Sequence, residues 1–189
     1  VNYNQRGNVL AHSLGLLGAK VVVAEEDFVD AINESGADTS VLITAEQLRQ
    51  LSVGASAANP AVTEQIEAKE KAFYIFTSGT TGMPKASVMT HFRWLRALGG
   101  FGGMGLRLKG NDTLYCCLPL YHNNALTVAV SSVLSAGATL ALGEKFSASK
   151  FWDDVIRYDA TAFIYIGELC RYLLNQPAKS TDRAHKVRL

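Results

Sequence analysis

The stretch Tyr74-Ile75-Phe76-Thr77-Ser78-Gly79-Thr80-Thr81-Gly82-Met83-Pro84-Lys85 constrains this chain more than any other. It begins as a short apolar, aromatic run of the kind that makes a buried strand, then passes within one residue into hydroxyls, glycines and a lysine. A strand delivers a loop. The hydroxyls of Thr77, Ser78, Thr80 and Thr81 can donate to anionic oxygens. Gly79 and Gly82 permit positive φ, which lets backbone N–H groups turn inward into a concave anion nest. Lys85 adds a full positive charge, and no Asp or Glu lies between Glu70 and Asp112 to oppose it. The chemistry matches a polyphosphate.

The Walker loop is a different object: its G-x-x-x-x-G-K-[ST] spacing runs directly into a helix whose N-terminus helps to hold phosphate. Here the two glycines are three apart, and Pro84 pushes Met83 toward extended geometry. A second strand over 87–90 closes the loop as a hairpin-like excursion. A Gly/Ser/Thr-rich surface turn is the plain alternative for a motif of two residues; a long string ending in Pro-Lys favours the functional reading.

The string resembles the phosphate-loop signature of the adenylate-forming superfamily, which includes acyl-CoA synthetases, luciferases and the adenylation domains of peptide synthetases. Two further segments, Lys145-Phe146-Ser147-Ala148-Ser149-Lys150-Phe151-Trp152-Asp153-Asp154 and Tyr165-Ile166-Gly167-Glu168-Leu169-Cys170-Arg171-Tyr172-Leu173-Leu174-Asn175-Gln176-Pro177, are similar to the fatty acid transport protein branch, the very-long-chain acyl-CoA synthetases. The similarity begins at Asn2-Tyr3-Asn4-Gln5-Arg6-Gly7 and covers nearly the whole chain.

That resemblance implies an α/β fold, part of the large N-terminal domain of such an enzyme, with sheets flanked by helices and incomplete in this chain. It implies activation of a long- or very-long-chain fatty acid by ATP, then transfer to coenzyme A, with Mg²⁺ on the phosphates. Thr77, Ser78, Gly79, Thr80, Thr81, Gly82 and Lys85 would hold the nucleotide, Thr77 would touch the metal, and Lys85 and His122 would be catalytic. The adenine-binding glycine segment, acidic metal ligand, ribose aspartate and distal lysine of relatives are not recognisable here, so the chain reads as an internal fragment, inactive alone. An acyl-AMP ligase loading a carrier protein and a non-catalytic lipid-uptake protein at the membrane are the alternatives.

Composition narrows the field. The 189 residues are 48% apolar with a net charge of +1, and the basic residues are scattered singly, so nucleic acid is not an expected partner. Cys116 and Cys117 are adjacent and cannot form the C-x-x-C half of a zinc site; with Cys170 they make an odd set, read as small buried hydrophobes in a reducing cytoplasm. No signal-peptide pattern is present, although a chain starting on Val1 can lack an upstream segment. Residues 125–143 carry no charge, but their serines, threonines and Ala136-Gly137 fit a core helix, a turn and a buried strand better than a bilayer span. Peripheral attachment to the inner membrane face is implied by resemblance alone.

Along the chain, apolar spacing predicts a helix over 6–18, a strand over 20–24, a short helix capped by Asp27, a strand over 41–44 and a capping box at Thr44-Ala45-Glu46-Gln47. Residues 61–71 are a polar helix or an exposed lead-in. After the loop come a helix over 92–98, with Phe92, Leu95 and Leu98 spaced for burial, and a glycine run at 99–105 that breaks it. Strands follow over 113–117, 139–142 and 161–166, with helices over 127–134, 149–158 (capped by Ser149) and 168–174. This alternation predicts doubly wound parallel sheet, with one α/β unit over 1–110 and a second over 111–189.

His122 sits where a strand gives way to a loop, the end at which open α/β sheets gather ligands. A local structural hydrogen bond is the alternative role; the resemblance favours positioning of the acyl carboxylate, which is already ionised near neutral pH. Asn123, Asn124, Ala125 and Leu126 depart from the small residue and glycine frequent in relatives. Leu126, Val130 and Leu134 share a helix face suited to core packing or an apolar tunnel. Asp153 and Asp154 read as a solvated first turn and Glu168 with Arg171 as a surface pair. His12, His91 and His185 look isolated, and nothing forms a metal cluster.

Overall fold

The computed structural model describes residues 1–77 and 82–189. Its contacts divide it into two compact units, Val1–Thr90 and His91–Leu189.

In the first unit, α1 (Gly7–Leu17) ends at Gly18, whose φ of 56° is left-handed and whose N–H reaches Gly15 O at 3.2 Å. Glycine takes that conformation without a Cβ penalty. Leu10 and Leu14 turn inward to meet Ile32 of α2 (Val29–Glu34). They cover Val22 of β1 (Val22–Ala24) and Leu42 of β2 (Leu42–Thr44), strands that pair in parallel. Asp27 does not cap α2: it lies inside a 3₁₀ turn, Glu26–Phe28, that leads into the helix with no side-chain cap. α3 (Ala45–Ser52) does open on the expected box, with Gln47 N–H donating to Thr44 Oγ1 at 3.2 Å and Thr44 N–H to Gln47 Oε1 at 2.8 Å. Beyond a 3₁₀ turn at Ala61–Gln65 and an exposed lead-in, β3 (Lys71–Thr77) pairs antiparallel with β4 (Lys85–Thr90). Among the described residues of that hairpin, Ile75 and Met89 are buried. β4 starts at Lys85 rather than 87, because Lys85 and Ala86 find ladder partners in Thr77 and Phe76.

The second unit is built on β5 (Thr113–Cys116), flanked in parallel by β6 (Thr139–Leu142) and β7 (Ala162–Phe163). Side chains alternate along a strand. Leu114 and Cys116 accordingly enter one core with Ala125, Ala129, Val133, Ala162 and Ile164. Tyr115 and Cys117 enter the other, with Ala141, Phe151, Val155 and Leu169. The first face is covered by a π-helical turn, Asn124–Ala129, running into α5 (Val130–Ala136); the second by α6 (Phe151–Arg157) and α7 (Gly167–Leu174). Both faces of the sheet are covered, which is why β5 reads as a continuous apolar run. β7 is shorter than 161–166, although Thr161 N–H and Ile164 N–H still bond Thr113 O and Tyr115 O at 3.0 Å. Residues 125–143 do form helix, turn and strand, and among the described residues no helix is long and apolar enough to cross a membrane.

Several details depart from the sequence pattern. α4 (His91–Ala97) leaves Phe92 51% and Leu95 58% exposed. Steps of three drift around a helix, and its half-buried stripe is His91, Trp94, Ala97 and Leu98 instead. The glycine run does not break the helix; it continues as a π-helix, Leu98–Leu106. Gly102 explains this, for a Cβ there would lie 2.5 Å from Ser135 Cβ and 3.1 Å from Ser132 Cα, so the bare glycine lets the helix lie close against α5. Leu134 is 58% exposed, and the inward stripe is Ala125, Ala129, Ser132 and Val133, one position away from the Leu126 face. Lys150, not Ser149, holds the N-cap position of α6, without a side-chain cap.

Asp153 meets Lys179 at 3.1 Å, but Asp154 is not merely solvated. The buried Tyr115 hydroxyl donates to Asp154 Oδ2 at 3.0 Å. Gly143 makes room for this, since a Cβ on it would sit 2.7 Å from that hydroxyl. The Glu168–Arg171 pair forms as expected. His185 is not isolated; it stacks on Trp152 at 4.8 Å.

Asp112 ties the same sheet together. Its buried carboxylate accepts from Lys109 N–H and Thr161 Oγ1, each at 2.7 Å, and from both Nε and Nη2 of Arg188. The Arg188 hydrogen bond, foremost, holds the carboxyl well below the usual carboxylate range. A depressed folded pKa contributes stability that is fully present above the unfolded value, about pH 4, and is lost as pH falls toward the folded one. Asp112→Asn should therefore lower stability at neutral pH and flatten the acid limb of a urea-midpoint-versus-pH curve below pH ~4; an unchanged limb would refute the role of the pair. In the glycine run, Gly102→Ala should cost about 1–3 kcal/mol through overpacking. Gly103→Ala, with open space around it, should be neutral or stabilise by up to about 1 kcal/mol in the same unfolding measurement.

Candidate functional site

Thr77 and Lys85 are exposed ends of paired strands, directly opposite in the ladder. The Thr77 hydroxyl donates to Lys85 O at 3.4 Å, a long contact that leaves its oxygen lone pairs available. Gly82 takes φ 102°, a conformation in which any side chain would be strained. Ser78, Gly79, Thr80 and Thr81 lie outside the described residues. The strand pair thus presents a hydroxyl and a primary ammonium at its open end, in a segment free of carboxylates from 71 to 111. An anion meets no like charge along that segment.

One contact to this turn escaped the sequence pattern. His12 of α1, half-buried, places Nε2 3.0 Å from Pro84 O. A carbonyl only accepts, so Nε2 carries the hydrogen and donates it. The partners lie 72 positions apart in sequence, and the local hint is a half-buried polar ring between Leu10 and Leu14, the buried leucines of α1.

His122 lies beyond the carboxyl end of β5, in the second unit. Its N–H closes a turn onto Pro119 O at 3.0 Å, its ring lies 4.6 Å from that of Tyr121, and it is exposed. The asparagines after it are structural ties. Asn123 Oδ1 accepts from Thr127 Oγ1 at 2.7 Å, and Asn124 Nδ2 donates to Tyr165 O at 3.2 Å, joining the helix start to the chain leaving β7. Tyr165 and Ile166 are exposed there, so an apolar rim stands at the strand ends. Burial, foremost, pushes the Cys117 thiol up to about 11 and raises Cys116 as well, whereas Cys170 is half-buried rather than buried as expected.

A magnesium ion has no ready-made cage among the described residues. Among the described residues no group of three or more His, Cys, Asp or Glu side chains could hold a metal ion, and a lone threonine hydroxyl is a weak ligand. These residues do not fit a protein-built Mg²⁺ site.

Known proteins align with this picture. The profile of the AMP-binding enzyme family matches residues 1–189. The whole chain is 68% identical, over 193 aligned residues, to the medium/long-chain-fatty-acid–CoA ligase FadD6 of Mycobacterium tuberculosis, of which it covers 32%. It is 40% identical to human long-chain fatty acid transport protein 1, covering all of itself and 31% of that protein. The chain therefore spans about a third of the length of the curated relatives it matches. Among solved structures, the inhibitor-bound N-terminal domain of FACL13 from Mycobacterium tuberculosis superposes over 100% of this chain and 48% of its own, with a TM-score of 0.82 at 24% identity, a likeness of fold. Since the profile takes in every residue and one relative shares two thirds of them, the chain belongs to the AMP-binding enzyme family, with the α/β fold of an adenylate-forming N-terminal domain.

Proposed function

We propose that the protein carrying this chain is a fatty-acid–CoA ligase that activates a long-chain fatty acid with ATP. The observation that carries the reading is the β3–β4 hairpin, which sets Thr77 and Lys85 side by side at the mouth of a hydroxyl-rich, carboxylate-free turn. The relatives, a medium/long-chain-fatty-acid–CoA ligase and a long-chain fatty acid transport protein, support the substrate class.

A fatty carboxylate does not react with a thiol because its oxygen is a poor leaving group. Its attack on the α-phosphorus of ATP expels pyrophosphate and leaves an acyl-adenylate; the coenzyme A thiol then attacks the acyl carbon and AMP departs. The first step demands alignment and neutralisation of charge building on the leaving pyrophosphate. Lys85 supplies that charge, and the turn 77–82, with Thr77, Ser78, Gly79, Thr80, Thr81 and Gly82, supplies hydroxyl and backbone donors. Thr77 would be this chain's contact to a Mg²⁺ ion carried in by ATP, which would help to neutralise phosphate charge. His122 orients the acyl carboxylate; no proton need be taken from it. Peripheral association with a membrane surface suits a lipid substrate. These 189 residues, a third of the length of the ligase relative, do not turn over by themselves.

In the full-length protein, Lys85→Ala should lower fatty-acid-dependent ATP/pyrophosphate exchange about 100-fold or more, the scale of losing a stabiliser of transition-state charge. Unchanged exchange would point instead to a lipid-uptake role with a vestigial turn. His122→Ala should lower kcat/KM for the fatty acid about 10- to 100-fold with KM for ATP unaltered; a change confined to ATP would remove it from the acyl site. Thioester formation with coenzyme A, rather than with a carrier protein, identifies the acceptor.

A further inference from the structure

We propose that His12 is a positioning residue for Lys85, acting through the Pro84 carbonyl. The inference rests on reading the β3–β4 turn as a phosphate grip. Lys85 follows directly on Pro84, and a peptide unit is rigid and planar. Pro84 O and Lys85 N therefore share one plane, so the His12 hydrogen bond at 3.0 Å orients the peptide that enters Lys85. The peptide that leaves it is held from the opposite strand, by Thr77 Oγ1 on Lys85 O at 3.4 Å and by the ladder register Thr77↔Lys85. Two tethered planes meet at the Lys85 Cα. Its Cα–Cβ direction is then set, and the flexible four-carbon stem searches a cone rather than a sphere.

The holder is well suited to the task. α1 is anchored by buried Leu10 and Leu14 against Ile32, and His12 lies between those anchors on the same helix. Proline has no N–H, so its carbonyl is the one backbone group of residue 84 that can be held by hydrogen bond. An apolar ring of equal size would fill the space beside α1 but leave that peptide free to rotate. The bond, not the bulk, is what the site uses.

Three substitutions in the full-length protein separate bond from bulk. His12→Phe keeps a ring and loses the donor; His12→Asn keeps a donor too short to reach; His12→Gln keeps one at similar reach. KM for ATP in the exchange assay should rise about five- to tenfold in the Phe and Asn variants, the scale of one hydrogen bond, and stay within about twofold in the Gln variant. KM for the fatty acid should not move in any of them. A wild-type KM for ATP in the Phe or Asn variant, or a loss in the Gln variant equal to theirs, would overturn the inference. If the Phe variant fails to fold, the Asn and Gln pair decides alone. Lys85→Ala in the same assay keeps the two ideas apart. If it abolishes exchange while the His12 variants behave as wild type, only the role of His12 falls. If Lys85→Ala itself changes nothing, the phosphate grip falls and His12 with it.

Discussion

Buried backbone must find its hydrogen bonds in a neighbouring strand, and a strand shows alternate residues to alternate faces. These two constraints organise both units. On β5 they send Leu114 and Cys116 to one helical layer and Tyr115 and Cys117 to the other, so a slip of one residue would exchange the two cores. In the β3–β4 hairpin the same arithmetic sets Thr77 across from Lys85. A slip there would turn the hydroxyl to the opposite face and separate it from the lysine's own peptide. The chemistry of the turn is a by-product of strand register.

Burial and reactivity are kept apart accordingly. The cysteines on the covered sheet are held as thiols by desolvation, and Asp112 spends its charge on Arg188, Thr161 and the Lys109 amide. The side chains offered to solvent stand at strand ends: Thr77 and Lys85 in one unit, His122 with Tyr165 and Ile166 in the other. A charge at such a position loses little hydration until a ligand arrives, whereas an unpaired one inside either core would be costly.

What was legible in the sequence was local. The hairpin shows as an abrupt change from aromatic strand to glycine and hydroxyl. The capping box at Thr44 and Gln47 and the Glu168–Arg171 pair are settled within one helical turn. What escaped was decided by partners far along the chain. His12 looked isolated because Pro84 is 72 residues away, and nothing local to Arg188 points to Asp112, 76 residues away. Phe92 and Leu95 matched a burial spacing, yet which stripe of a helix turns inward depends on what packs beside it. Gly102 illustrates the same limit: seen as one glycine among several, it read as a break, whereas the serines opposite make it the point of closest approach to α5.

The Tyr115 phenol runs through one of these cores to reach a carboxylate at its margin. Its ring is packed edge-on to Phe151 and stacked with Tyr158, and burial, then the Asp154 hydrogen bond, raise its pKa above the ordinary phenol value. A phenol that is harder to ionise when folded favours the fold below about pH 10 and withdraws that support as alkali climbs past it. The chromophore is therefore silent to base until the layer around it opens. Its ultraviolet difference band reports the loosening of the sheet rather than the titration of a surface group.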